Sequence, residues 1–315
     1  MRGKYQNLLD AETWNFIDET LDFYPADADS HTIAEQREYY DRLCRHFHAP
    51  YPENVSSGDE QIPGKIGPIA IRNYQRADTA PKAHVVYYHG GGYVVGGLDS
   101  HDSVCAEICA RTGFAVTAVD YRLIPEHTWP DDFNDCLSGF EHVANLSDLP
   151  VILAGDSAGG NLSAAVSHAS RTSARQPAGQ VLIYPALGSD LSKGSFIEHA
   201  EAPCLSTREV EYYKYIRINN QKQFLSEPTC NPLNDTDFTS LPPTVIIAAE
   251  CDPLSDDGRD YAQEINKAGG KAVFFNETGL IHGYLRARHS VERARHSFTR
   301  IIDAIDNLGQ NKWPY

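Results

Sequence analysis

The sequence predicts a mostly parallel α/β sheet with helices on both faces, and three observations lead there. From about residue 69 onward, short β-rich runs alternate with helix-patterned segments, the signature of strands joined by crossover helices. The runs are bounded by Gly, Pro or Asp, and the segments between them have helix length. The stretch Gly155-Asp156-Ser157-Ala158-Gly159-Gly160 follows the apolar run Val151 to Ala154 directly and precedes the helix-patterned segment Asn161 to Ser170, a strand-turn-helix junction. Open parallel sheets place their sites at such strand ends.

Residues 1 to about 50 are polar and helix-patterned. Leu8, Leu9, Trp14, Ile17, Leu21 and Phe23 mark one amphipathic helix and Tyr39, Tyr40, Leu43 and Phe47 a second, with a break near Pro25. Strand signals begin after Asn54, at Ile69–Tyr74, Val85–Tyr88, Phe114–Val119, Val151–Ala154, Val181–Tyr184, Thr244–Ala249 and Ala272–Asn276. Helices are expected at Ser103–Arg111, Asp131–Asn145, Asn161–Ser170, Asp257–Ala268 and Val291–Leu308. Between about Ser189 and Leu241 the alternation stops. This Tyr-, Glu- and Asn-rich stretch contains one expected helix, Arg208–Asn219, and reads as an insertion between two core strands.

Composition narrows the function classes. With 27 basic against 43 acidic residues, the formal charge of -16 argues against nucleic acid or an anionic membrane surface as partner. No apolar run reaches bilayer-spanning length, and the first twenty residues lack the apolar stretch of a secretory signal, so a cytoplasmic protein is expected. Seven cysteines without repeated spacing predict free thiols rather than a disulfide framework. Cys44, His46 and His48 alternate at a spacing that does not put all three on one helical face, so no metal site is expected there.

The junction at Ser157 reads as a nucleophile elbow, a sharp turn that lifts one serine hydroxyl over the end of the sheet. A serine needs a base to take its proton, and an imidazole base needs an acceptor to fix its tautomer. Both occur downstream, acid before histidine. Asp252 follows the strand ending at Ala249, and His282 lies six residues beyond the last expected strand, followed by Gly283. Glu250 is the nearest rival to Asp252. Upstream, His89-Gly90-Gly91-Gly92 follows the strand ending at Tyr88, and consecutive glycines let backbone N–H groups approach a ligand. The expected oxyanion donors are the N–H groups of Gly91, Gly92 and Ala158, with His89 orienting the loop. Tyr93 and Asp156 are candidate walls of the substrate pocket.

These pieces, His89-Gly90-Gly91-Gly92-Tyr93, Asp120 to His127, Gly155 to Gly160, Asp252-Pro253-Leu254 and His282-Gly283, resemble those of the hormone-sensitive-lipase family (family IV) of bacterial serine esterases, the acetyl-esterase and carboxylesterase branch. The resemblance spans roughly residues 80 to 285. It implies an α/β-hydrolase fold with an eight-stranded, mostly parallel sheet, helices on both faces, a helical cap and no cofactor. Residues 1–50 would then be N-terminal cap helices, 51–188 and 242–315 the catalytic core, and 189–241 a cap insertion. The segment Asp120–His127 would be structural, with Arg122 and Glu126 pairing within the fold. Three positions depart from the commonest pattern: Gly97, where an acidic residue is frequent, Ile124 in place of alanine, and Ser255, where arginine is frequent.

The expected reaction is hydrolysis of short-chain acyl esters, about two to six carbons, through an acyl-enzyme on Ser157, with a small-molecule ester and water as partners. Within the same mechanism, amidase, lactonase and aryl-esterase activity stay open. A non-catalytic small-molecule receptor on the same fold is the alternative from another class, and retention of both Ser157 and His282 speaks against it. The edge near Ala272–Asn276 could pair with a second copy, which leaves a homodimer open.

Overall fold

The computed structural model describes residues 3–25, 27–28, 31–188 and 190–315. Eight strands form one sheet: β1 (Val55–Ile62), β2 (Ile69–Arg76), β3 (His84–Tyr88), β4 (Ala115–Val119), β5 (Val151–Asp156), β6 (Gly179–Ile183), β7 (Thr244–Cys251) and β8 (Ala272–Ile281), in the spatial order β1-β2-β4-β3-β5-β6-β7-β8. β2 runs antiparallel to both β1 and β4, and the remaining pairs are parallel. From β3 the chain crosses to β4 on one side and then back to β5 on the other. The loops after β3 and β5 therefore diverge, and a crevice opens between them at the carboxyl ends of the strands.

Alternation along the strands separates two apolar layers. Val85 and Tyr87 join Val116, Ile152, Val181 and Val245 beneath α3 (Asp102–Thr112) and α9 (Glu292–Gly309). Val86 and Tyr88 face the other way with Leu153, Leu162 and Val166, toward α4 (Asp131–Leu146) and α5 (Ala158–Ser170). Helix ends follow from local chemistry. Asp10 caps α1 (Ala11–Leu21) through the Thr13 N–H at 2.8 Å, and Thr32 and Glu35 form a capping box on α2 (Ile33–His46). Ser206 and Glu209 do the same for α7 (Thr207–Arg217), which follows the short α6 (Ser195–Glu198); α8 spans Ser255–Lys267. Ser189, where the expected insertion begins, lies outside the described residues, as do Met1 and Arg2.

Three expectations need correction. β1 carries no strand signal because its residues, Ser56 to Gln61, are polar and exposed; backbone pairing with β2 makes it a strand. β8 continues five residues past Asn276, so His282 follows the strand immediately instead of after six residues. Polar Asn276-Glu277-Thr278 masks that extension, which a register irregularity opposite Ala249 and Cys251 accommodates. The helix after the serine starts at Ala158, three residues before the expected Asn161. Arg122 and Glu126 do pair within the fold, Arg122 with Asp135 and Glu126 with Arg37 at 2.7 Å.

Candidate active site

Ser157 sits between β5 and α5 with φ 56° and ψ -117°, a region that L-residues avoid. Surrounding contacts hold it there: its N–H donates to the Ile183 carbonyl at 2.8 Å, and its carbonyl accepts from Asn161 at 3.1 Å. The turn is so tight that a Cβ on Gly159 would overlap the Tyr88 carbonyl, and one on Gly155 would overlap the Gly159 carbonyl. Only glycine permits this approach of α5 to β3.

His282 leaves β8 with Nδ1 2.7 Å from Asp252 Oδ2 and Nε2 2.9 Å from Ser157 Oγ. A carboxylate at Nδ1 holds the proton on that nitrogen, so Nε2 presents its lone pair to the serine hydroxyl. Asp252 is fully buried, and its second oxygen accepts the Leu254 N–H at 2.9 Å. The rival Glu250 is engaged elsewhere, accepting the Gly279 N–H at 2.7 Å. One chain of hydrogen bonds thus links the ends of β5, β7 and β8.

The glycine loop after β3 is bent by positive φ at Gly91 (131°), Gly92 (59°) and Tyr93 (66°). Gly91 and Gly92 line the same cavity as Ser157, as does Ala158, the first residue of α5, whose N–H has no partner within the helix. The bend is tied from below. Asp156, 3 % exposed, accepts from Tyr87 Oη (2.8 Å), the Gly90 N–H (3.0 Å) and His101 Nε2 (3.2 Å). Burial alone would raise the Asp156 carboxyl, but the His101 charge and hydrogen bond, with Arg286 and Tyr87, hold it well below the usual carboxylate range. Asp156 borders the cavity, and its oxygens also serve the loop. Tyr93 does line the cavity, its ring capped by the Arg217 guanidinium at 4.0 Å.

His89 is buried, stacks on Tyr121 at 4.3 Å, and donates from Nδ1 to the Gly90 carbonyl at 2.8 Å. Burial, aided by the His101 charge, pushes it down to about 4, so the ring is neutral at pH 7.

The cavity over Ser157 measures about 400 Å³. Its outer wall comes from Phe16 and Leu21 of α1, Tyr40 of α2, Phe196 of α6 and Val210 and Tyr213 of α7. Sequence reading missed the scaffold that joins this wall to the elbow. Arg217, 2 % exposed, donates to Asp132 Oδ2 (2.7 Å), Asn161 Oδ1 and the Cys230 carbonyl (both 3.0 Å). No local pattern marks these residues, because their partners lie on separate elements. Among the described residues no helix is long and apolar enough to cross a membrane.

Residues 85–286 match a protein family described as having the alpha/beta hydrolase fold. Carboxylesterase NlhH of Mycobacterium tuberculosis is 37% identical over 230 residues, covering 70% of this chain and 72% of that protein. Carboxylic ester hydrolase LipN of the same organism is 33% identical over 266 residues, covering 80% and 70%. Among solved structures, the hyperthermophilic esterase from the archaeon Pyrobaculum calidifontis superposes with a TM-score of 0.87 at 30% identity, covering 95% of this chain and 98% of that one. Fold, strand order and these likenesses agree: the chain belongs to the hormone-sensitive-lipase-type (family IV) esterases of the α/β-hydrolase fold and is a carboxylic ester hydrolase.

Proposed function

We propose that Ser157 is the nucleophile, His282 the general base and acid, and Asp252 the group that steadies the imidazolium. The observation that carries this reading is the unbroken hydrogen-bonded chain from Ser157 Oγ through His282 to Asp252. As Oγ attacks the ester carbonyl, its proton passes to His282 Nε2 and the carbonyl π electrons move onto oxygen. The N–H groups of Gly91, Gly92 and Ala158 receive that oxyanion, and His89 orients the loop carrying two of them. Collapse expels the alcohol, protonated by His282, and leaves an acyl-enzyme. Water, deprotonated by the same nitrogen, repeats the sequence and frees the acid.

Substrates in this reading are short-chain acyl esters of about two to six carbons. A cavity of about 400 Å³ supports it, near the lower end of small-molecule pockets. Residues 1–50 and 189–241 act as the cap over residues 51–188 and 242–315, supported by the side chains of α1, α2, α6 and α7 that line the cavity. Work in the cytoplasm suits seven thiols, and the edge strand β8 is the surface on which a homodimer would form.

The test combines Ser157→Ala with an acyl-length series of nitrophenyl esters. The variant is expected to lose at least about 10³-fold in kcat while keeping its fold. Wild-type kcat/KM should peak between acetate and hexanoate. Turnover of the variant near the wild-type rate overturns the nucleophile assignment, and a peak at long acyl chains overturns the substrate class.

A further inference from the structure

Among the described residues, six charged side chains other than the histidine line the cavity: Asp156, Glu209, Lys214, Arg217, Asp257 and Arg286. The chain itself engages the three carboxylates. Asp156 holds the glycine loop, Glu209 caps α7 through the Ser206 N–H and hydroxyl (2.7 and 2.6 Å), and Asp257 accepts the N–H groups of Leu187 and Gly188 (2.5 and 3.0 Å). Arg217 is paired with Asp132. What remains is cationic: among the described residues neither Arg286 nor Lys214 has a carboxylate oxygen within 4.0 Å.

Arg286 is the better placed of the two. It stands four residues after His282, in a short 3₁₀ turn (Tyr284–His289) that begins after Gly283. Its guanidinium lies 4.8 Å over the Tyr40 ring, and Nη2 donates to Tyr40 Oη and Cys44 Sγ. These contacts orient the fork without neutralising it. Nε is buried and has no hydrogen-bond partner among the described residues. A guanidinium carries five N–H donors and is matched in geometry to a carboxylate. The Asp156 carboxylate acts on this guanidinium only from beyond 4.0 Å and is itself engaged by the glycine loop, so a ligand carboxylate would supply the close ion pair that the described residues do not.

We propose that Arg286 is an anion subsite: the preferred substrate is an ester that also bears a carboxylate, which pairs with this guanidinium while the ester carbonyl meets Ser157. The proposal rests on the reading of Ser157 as nucleophile and names the substrate class that site takes. The long-range field of a chain with net charge -16 repels anions, so the preference has to come from a cation inside the cavity.

Two substrate pairs test it and separate the sides of the ester. On the acyl side, mono-4-nitrophenyl succinate is compared with 4-nitrophenyl butyrate; on the alcohol side, O-acetylglycolate with methyl acetate. In at least one pair, the anionic-to-neutral ratio of kcat/KM should fall at least about tenfold in Arg286→Met, mainly through KM, and recover in part in Arg286→Lys. A second measurement needs no variant: succinate should inhibit wild-type hydrolysis of the butyrate ester competitively, at concentrations at least about tenfold lower than succinamide. Ratios unmoved by Arg286→Met, or equal inhibition by succinate and succinamide, overturn the anion subsite. If wild type fails to hydrolyse the butyrate ester, or Ser157→Ala still does, the nucleophile reading fails instead.

Discussion

Asp156→Asn separates a loop anchor from a pocket wall, because the substitution keeps volume and shape and removes only the charge and two acceptor sites. Oδ1 already accepts from Tyr87 Oη and the Gly90 N–H, and an asparagine oxygen at that position preserves both bonds. His101 Nε2 lies between the two oxygens, 3.2 Å from Oδ1 and 3.3 Å from Oδ2, and Oδ2 also faces Tyr184 Oη at 3.4 Å. An amide NH₂ there opposes two donors, and a charge-assisted hydrogen bond worth about 1.5–3 kcal/mol is lost. With one further donor left to find a partner, the expected destabilisation is about 3 kcal/mol at pH 7. The carboxyl is depressed in the folded state, so its contribution is present above the unfolded value of about 3.9 and fades as pH falls through the lower folded value. Urea denaturation of wild type and variant should therefore show a midpoint gap at pH 7 that narrows below about pH 4. Displacement of the glycine loop should lower kcat on a neutral ester more than it raises KM. A midpoint within error of wild type, with only KM changed, would refute the reasoning and make Asp156 a substrate contact.

Gly159→Ala should destabilise by about 3 kcal/mol or more, since its Cβ meets the Tyr88 backbone carbonyl and no rotamer change can relieve it; soluble yield and urea midpoint are the measures, and a wild-type midpoint refutes it. His89, at about 4 when folded against about 6.5 unfolded, takes up its proton only in the unfolded chain across that interval. Stability is therefore lost as pH falls from about 6.5 to about 4, by about 3 kcal/mol for this ring. His89→Gln should flatten that part of the urea-midpoint profile, and an unchanged slope would show that another group carries it. His84, pushed down to about 4 by burial and by the His142 charge, adds a slope of the same sign.

Legibility in the sequence followed the range of the interaction. Strands buried on both faces, such as Val151–Ala154 and Thr244–Ala249, announce themselves because burial demands a continuous apolar run. β1 and the second half of β8 do not, since pairing along one edge and backbone hydrogen bonds place them there. The same division runs through the site. Ser157, Asp252, His282 and the glycines stand in short motifs at strand ends, where the backbone geometry itself requires certain residue types. For Asp156 the motif gives the position beside the cavity but not the direction its oxygens face, which partners on other elements set.

By itself, then, the sequence determined the α/β class, the serine at a strand-turn-helix junction with an acid and a histidine downstream, and the glycine loop, because each depends on residues within a few positions of a strand end. Only the tertiary structure decided which groups share the cavity. It brought Arg217 to Asp132 and Asn161, turned Asp156 toward the glycine loop, and left Arg286 beside Tyr40 with no carboxylate oxygen within 4.0 Å among the described residues. Those pairings join elements up to 246 residues apart, and packing of one element on another, not local pattern, settles which charges find partners.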